Sequence, residues 1–74
     1  MKTIDLKATG KRISALMSET RTSKRDIAEV LELTTTNSIY KWIKGMSLPS
    51  IDHLVTLADI FGVSLEELLV CREV

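Results

Sequence analysis

The sequence predicts an all-α fold, a compact bundle of five short helices, and three observations carry that prediction. Apolar residues recur at i, i+3 and i+4, as in Ile13–Leu16–Met17, Ile39–Trp42–Ile43 and Leu54–Leu57–Ala58, the spacing of one buried helical face. The scarce helix breakers Gly10, Gly45, Pro49 and Gly62 punctuate these groups. Ser23 and Ser64 each stand three positions before an acid, Asp26 and Glu67, which is the pattern of a capping box. The 74 residues suffice for one domain, and a domain this small must use most of its apolar residues in the core.

The elements follow in order. Residues 1–8, with Ile4 and Leu6 alternating, are expected as an extended N-terminal arm, and residues 9–74 as the single folded domain. Thr9 is expected to cap a first helix whose stripe is Ile13, Leu16 and Met17. Ser23 and Asp26 box a second, burying Ile27, Ala28, Val30 and Leu31. The third runs through residues 36–44, capped by Thr35 and ended by Gly45. After the loop MSLPS, a fourth buries Ile51, Leu54, Leu57, Ala58 and Phe61 and stops at Gly62. Ser64 and Glu67 box a fifth, with Leu65, Leu68 and Leu69 inward.

Composition excludes several function classes. With 45% hydrophobic and 27% charged residues, this is an ordinary soluble globule. No apolar run approaches the roughly 20 residues of a membrane span, and the start MKTIDLKATGKR lacks the apolar core of a signal peptide. One cysteine, Cys71, makes no internal disulfide, which fits a reducing cytoplasm. One histidine and one cysteine give no metal-site spacing. The lone His53, expected to face solvent, has no partners for a catalytic triad. No enzyme activity, cofactor, metal, membrane or small-molecule ligand is expected.

Net charge is zero, but its distribution is lopsided. Residues 1–50 hold nine Lys and Arg against five Asp and Glu; residues 51–74 hold Arg72 alone against five acids. One end of such a chain attracts a polyanion and the other repels it.

The stretch TTTNSIYKWIKG, Thr34 to Gly45, carries the functional signal. Ile39, Trp42 and Ile43 form its buried face. The opposite face offers Thr, Asn and Ser, poor helix formers that a merely solvated helix would replace with Glu, Lys and Gln. Helices two and three are joined by a very short connection around residues 32–34, so they cross steeply, as in a helix-turn-helix. The third then projects its polar side outward, and a helix of this diameter fits the major groove of B-form DNA. Asn bonds the adenine edge, Lys donates to guanine, and Thr methyls meet thymine methyls.

With its motifs in order, the chain resembles the phage repressor/Cro-like, xenobiotic-response-element type, family of helix-turn-helix transcription regulators. The matching residues are GKRI at 10–13, S-x-x-x-IA at 23–28, I-x-x-W-x-x-G at 39–45, LPS at 48–50 and L-x-x-LA-x-x-FGVSLEELL through Leu69. The resemblance implies a five-helix domain of the lambda-repressor-like type, dimeric on operator DNA, acting as a repressor in a bacterial or phage-encoded setting. It makes Thr36, Asn37, Ser38, Tyr40 and Lys41 the base-reading surface, and Ser23 and Lys24 the part facing a phosphate. Lys44, beside that surface, is a further phosphate candidate, while Lys11 and Arg12 read as an ordinary exposed pair by default, with contact to the DNA backbone as the lesser reading.

This chain departs from the family pattern in three places. Lys24 stands where Gln is common, Glu32 where a turn glycine is common, and the spacing from Ala28 to Ile39 is one residue longer than usual. A longer turn is expected to spare Glu32 the left-handed conformation that glycine serves. Two further expectations concern partners. Val63, Leu65, Leu69, Val70 and Val74 form more apolar surface than a short last helix buries, so a homodimer is expected through this end, with the N-terminal arm as a second candidate surface. The rival reading is a protein-interaction module that keeps the fold and does not bind DNA.

Overall fold

Asp5, not Thr9, starts the first helix. In the computed structural model, which describes residues 1–74, the order is β1 (Lys2–Ile4), α1 (Leu6–Thr20), α2 (Lys24–Val30), α3 (Asn37–Ile43), α4 (Ile51–Phe61), α5 (Leu65–Leu68) and β2 (Cys71–Glu73). The Asp5 carboxylate accepts the Ala8 N–H at 2.9 Å, so α1 begins upstream of the expected cap. Thr9 is instead 1% exposed inside the helix. Its Oγ1 accepts the Val70 N–H at 3.0 Å and donates to the Val70 carbonyl at 3.3 Å. That hydroxyl ties α1 to the end of the chain while satisfying buried backbone groups.

The expected arm is paired rather than free. β1 lies antiparallel to β2, with Lys2 opposite Glu73, Thr3 opposite Arg72 and Ile4 opposite Cys71, and residues 6–8 belong to α1. The five-helix bundle is as predicted; the small sheet is an addition to it.

Both predicted capping boxes form. Asp26 N–H donates to Ser23 Oγ and Ser23 N–H to Asp26 Oδ2, each at 3.0 Å. The Ser64–Glu67 box repeats this at 3.1 and 2.9 Å. In each, the serine backbone N–H and then its hydroxyl hold the acid below the ordinary carboxylate range. Acids with lowered values stabilise the fold above their unfolded pKa and lose that contribution as pH falls through the folded one, so both boxes are closed at neutral pH and open in acid.

Helices α1 to α4 end alike, on a left-handed residue: Arg21 at φ +55°, Glu32 at +57°, Gly45 at +72° and Gly62 at +69°. After α2, Glu32 N–H returns to the Glu29 carbonyl at 3.2 Å and Leu33 N–H to that of Ala28 at 2.8 Å. This is a Schellman closure, and it requires the left-handed conformation whatever the length of the loop beyond. The expectation that a longer turn spares Glu32 is therefore corrected. A non-glycine residue there costs roughly 1–2 kcal/mol, and glycine's extra unfolded-state freedom offsets roughly 0.5–1. Glu32→Gly is expected to stabilise the domain by about 0.5–1 kcal/mol, read as a higher urea midpoint with an unchanged slope.

The core joins all five helices: Ile13, Leu16 and Met17 of α1, Ile27 and Ala28 of α2, Ile39 and Trp42 of α3, Leu54, Leu57, Ala58 and Phe61 of α4, and Leu68 of α5. Each large apolar side chain so buried contributes roughly 1.5–3 kcal/mol. Val30 and Ile51, expected inside, are 57% and 77% exposed, and Leu65 is 37% exposed. Each lies at the margin of its apolar stripe, where a short helix turns it outward. His53 is half-buried, its ring centroid 5.8 Å from that of Trp42. Arg12, also half-buried, donates from Nε to the Glu67 carbonyl at 2.8 Å, so it is a tie between α1 and α5 rather than an exposed charge.

Candidate nucleic-acid interface

Two glycines set α3 against α1. A Cβ at Gly10 would lie 2.5 Å from the Trp42 carbonyl oxygen and 2.6 Å from that of Ile43. A Cβ at Gly45 would lie 2.7 Å from the Lys7 Cα. The backbones meet because side chains are missing, and α3 is pinned by its C-terminal turn. Ala28 and Ile27 of α2 and Ile39 and Trp42 of α3 close the other side.

The pinned helix is only seven residues long, and its N-cap Thr36 makes no side-chain hydrogen bond. The expected cap, Thr35, therefore stands one position outside the N-cap, where its Oγ1 accepts the Asn37 N–H at 3.2 Å. Thr36 is half-buried, whereas Asn37, Ser38, Tyr40, Lys41 and Lys44 are exposed. Asn37, Lys41 and Lys44 stand at i, i+4 and i+7, one line of the helix, flanked by Tyr40 and Ser38 and opposite the Ile39–Trp42 face. The Lys44 Nζ lies 5.6 Å from the Tyr40 ring centroid, a cation–π distance that holds both side chains along the exposed face. No acid lies on α3.

At the start of α2, Lys24 is exposed. Ser23 is exposed as well, but both its N–H and its hydroxyl are engaged with Asp26 in the capping box. Sequence reasoning missed Lys7 and Ser14 and gave Lys11 a backbone contact only as its lesser reading; the three line a cleft between α1 and α3 with Ile43 and Lys44. Their i, i+4, i+7 spacing is legible once α1 is started at Leu6.

Residues 31–36 join α2 to α3, a longer connection than the one expected around residues 32–34, because α3 starts only at Asn37. Two helices so joined, the second exposing an acid-free polar face, define a helix-turn-helix domain. The chain belongs to the Cro/C1-type helix-turn-helix family, whose model matches residues 12–68, and this places it among the DNA-binding regulators. Its fold is similar to the crystal structure of the DNA-binding domain of BldD, with a TM-score of 0.71 and 22% identity over 89% of this chain and 94% of that one. No curated protein matches the chain in sequence. No helix is long and apolar enough to cross a membrane.

Proposed function

We propose that this protein is a sequence-specific double-stranded DNA-binding transcriptional regulator that reads the major groove with α3. The observation that supports this most is the exposed line of Asn37, Lys41 and Lys44, free of acids and unpaired with any carboxylate. Thr36, Asn37, Ser38, Tyr40 and Lys41 read bases; Ser23, Lys24 and Lys44 hold phosphates. Asn37 is the best placed reader, since its amide both donates and accepts at an adenine edge. Thr36 is the least accessible of the set. Repression is the favoured outcome because it requires only that the operator be occupied. The lone exposed Cys71 suits the reducing cytoplasm of a bacterium or of a phage host.

The working form is a homodimer. Val74 is 70% exposed and Leu65 37%, beside half-buried Val63, Leu69 and Val70, an apolar surface at one end of the molecule that a second copy would cover. Half-sites then lie roughly 34–36 Å apart. Site selection from a random duplex pool tests the whole reading. It should return a paired motif whose affinity falls steeply with salt, with sedimentation giving two copies per site. A monomer both free and on operator-length DNA would reject the dimer. The exposed Met46, Ile51 and Val55 favour the rival interaction-module reading, which a pool yielding no enriched sequence would support.

A further inference from the structure

A single cleft of about 450 Å³ lies between α1 and the C-terminal turn of α3, lined by Lys7, Lys11, Ser14, Ile43 and Lys44. Lys7, Lys11 and Ser14 share one face of α1, and the close approaches at Gly10 and Gly45 bring that face against α3. Three lysines and a serine therefore line one concavity, with Ile43 as its apolar member and no carboxylate among the lining residues. All four polar side chains are exposed. The one ion pair of the chain joins the Met1 amino group to Glu73, so none of these lysines is neutralised. Gathered like charges repel one another, and an anion between them relieves that repulsion. Long, unpaired lysine side chains and a hydroxyl lining one concavity supply the donors that suit the oxygens of a phosphate.

Lys44 belongs both to this cleft and to the exposed line of α3, so the cleft opens beside the face that presents Asn37 and Lys41. A helix inserted in a major groove roughly 12 Å wide has a phosphate backbone on either side. We infer that the α1–α3 cleft holds a backbone phosphodiester of the bound duplex, with Lys7 and Lys11 as phosphate contacts that carry the footprint beyond the helix-turn-helix onto α1. This rests on the DNA-binding reading above and assigns that reading a second clamp. A free phosphorylated molecule offers the same chemistry, and the two sources separate by experiment.

The affinity of the whole chain for its selected duplex should be measured against salt for the wild type, Lys7→Ala, Lys11→Ala and Lys24→Ala, with Lys2→Ala on β1, outside the cleft lining, as a control. Lys7 and Lys11 are exposed, so thermal unfolding should coincide across the set. Lys7→Ala and Lys11→Ala are each expected to lower the salt slope by about one and to leave sequence preference unchanged, while Lys2→Ala matches the wild type. In parallel, inorganic pyrophosphate is titrated into the free protein, with the amide signals of Ser14 and Ile43 as readout. If Lys24→Ala lowers the slope and both α1 variants keep the wild-type value, the duplex does not occupy the cleft and the inference is overturned with DNA binding intact. Pyrophosphate shifts at Ser14 would then mark a site for a free phosphate. If the wild type shows no salt-dependent binding at all, the DNA-binding reading falls and this inference falls with it.

Discussion

Gly10→Ala is expected to destabilise the domain by about 2 kcal/mol or more, although alanine is the better helix former. In an open helix interior the same change gains about 0.8–1 kcal/mol. Here the new Cβ would meet two backbone carbonyl oxygens of α3 at 2.5 and 2.6 Å, and backbone cannot rotate aside as a side chain does. Overpacking of this kind costs typically 1–3 kcal/mol and occasionally more. The only relief is to push α3 off α1, which also displaces the Asn37–Lys41–Lys44 line. At about 4–8 °C per kcal/mol for a domain of this size, the melting midpoint should fall by roughly 10 °C or more. Gly62→Ala is the contrast. It sits at φ +69° with nothing within 4 Å of the added carbon, so it bears only conformational strain and should lose about 0.5–1 kcal/mol. Equal melting shifts for the two variants would show that α3 does not depend on its approach to Gly10.

Gly10 also explains what the sequence concealed. A glycine near the start of an apolar stripe reads as a boundary, and Thr9 beside it reads as a cap. Both are interior residues of α1, one for backbone approach and one for a bond to Val70, and neither reason is local. Placing the helix start too late hid the Lys7–Lys11–Ser14 face, and with it the cleft. The β1–β2 pairing joins opposite ends of the chain through three residues each, too few for periodicity to register. The His53–Trp42 contact likewise lies across elements.

What was legible had its cause within a turn or two of chain. The Ser23–Asp26 and Ser64–Glu67 boxes, the glycine closures at Gly45 and Gly62, and the Ile39–Trp42 face are all local physics, and all appear as read. Glu32 is the instructive exception: the closing bonds of α2 demand a left-handed residue, and no feature of a glutamate announces one. At the candidate site, the exposure of Asn37, Ser38, Tyr40, Lys41 and Lys44 followed from their position opposite Ile39. The half-burial of Thr36 did not, because it depends on how the residues joining α2 to α3 fold back.

Asn37→Ala and Lys24→Ala are expected to differ in kind. Asn37 leads the exposed line of α3, at the helix start, where its amide can donate and accept together. Removing it should cost about 1–3 kcal/mol on the preferred site and relax preference at one base pair. Binding to unrelated sequence should hardly change, because no charge has been lost. Lys24 is exposed at the start of α2 and carries charge rather than a pattern of donors and acceptors. Its loss should weaken every duplex alike and lower the salt slope by about one. The residue added before Ile39 bears directly on which side chain reads. α3 is a continuous helix from Asn37, so Asn37, Lys41 and Lys44 stay in line with one another; what a longer spacing from Ala28 changes is the placement of that line relative to α2. A shift of one position would hand the reading to Tyr40 or Lys41. Titrating both variants against the selected site, a one-base variant and random duplex separates the cases. Full discrimination retained by Asn37→Ala would remove Asn37 from the reading surface. A flat loss across all three duplexes for Lys24→Ala, with discrimination intact, would identify it as a positioning contact.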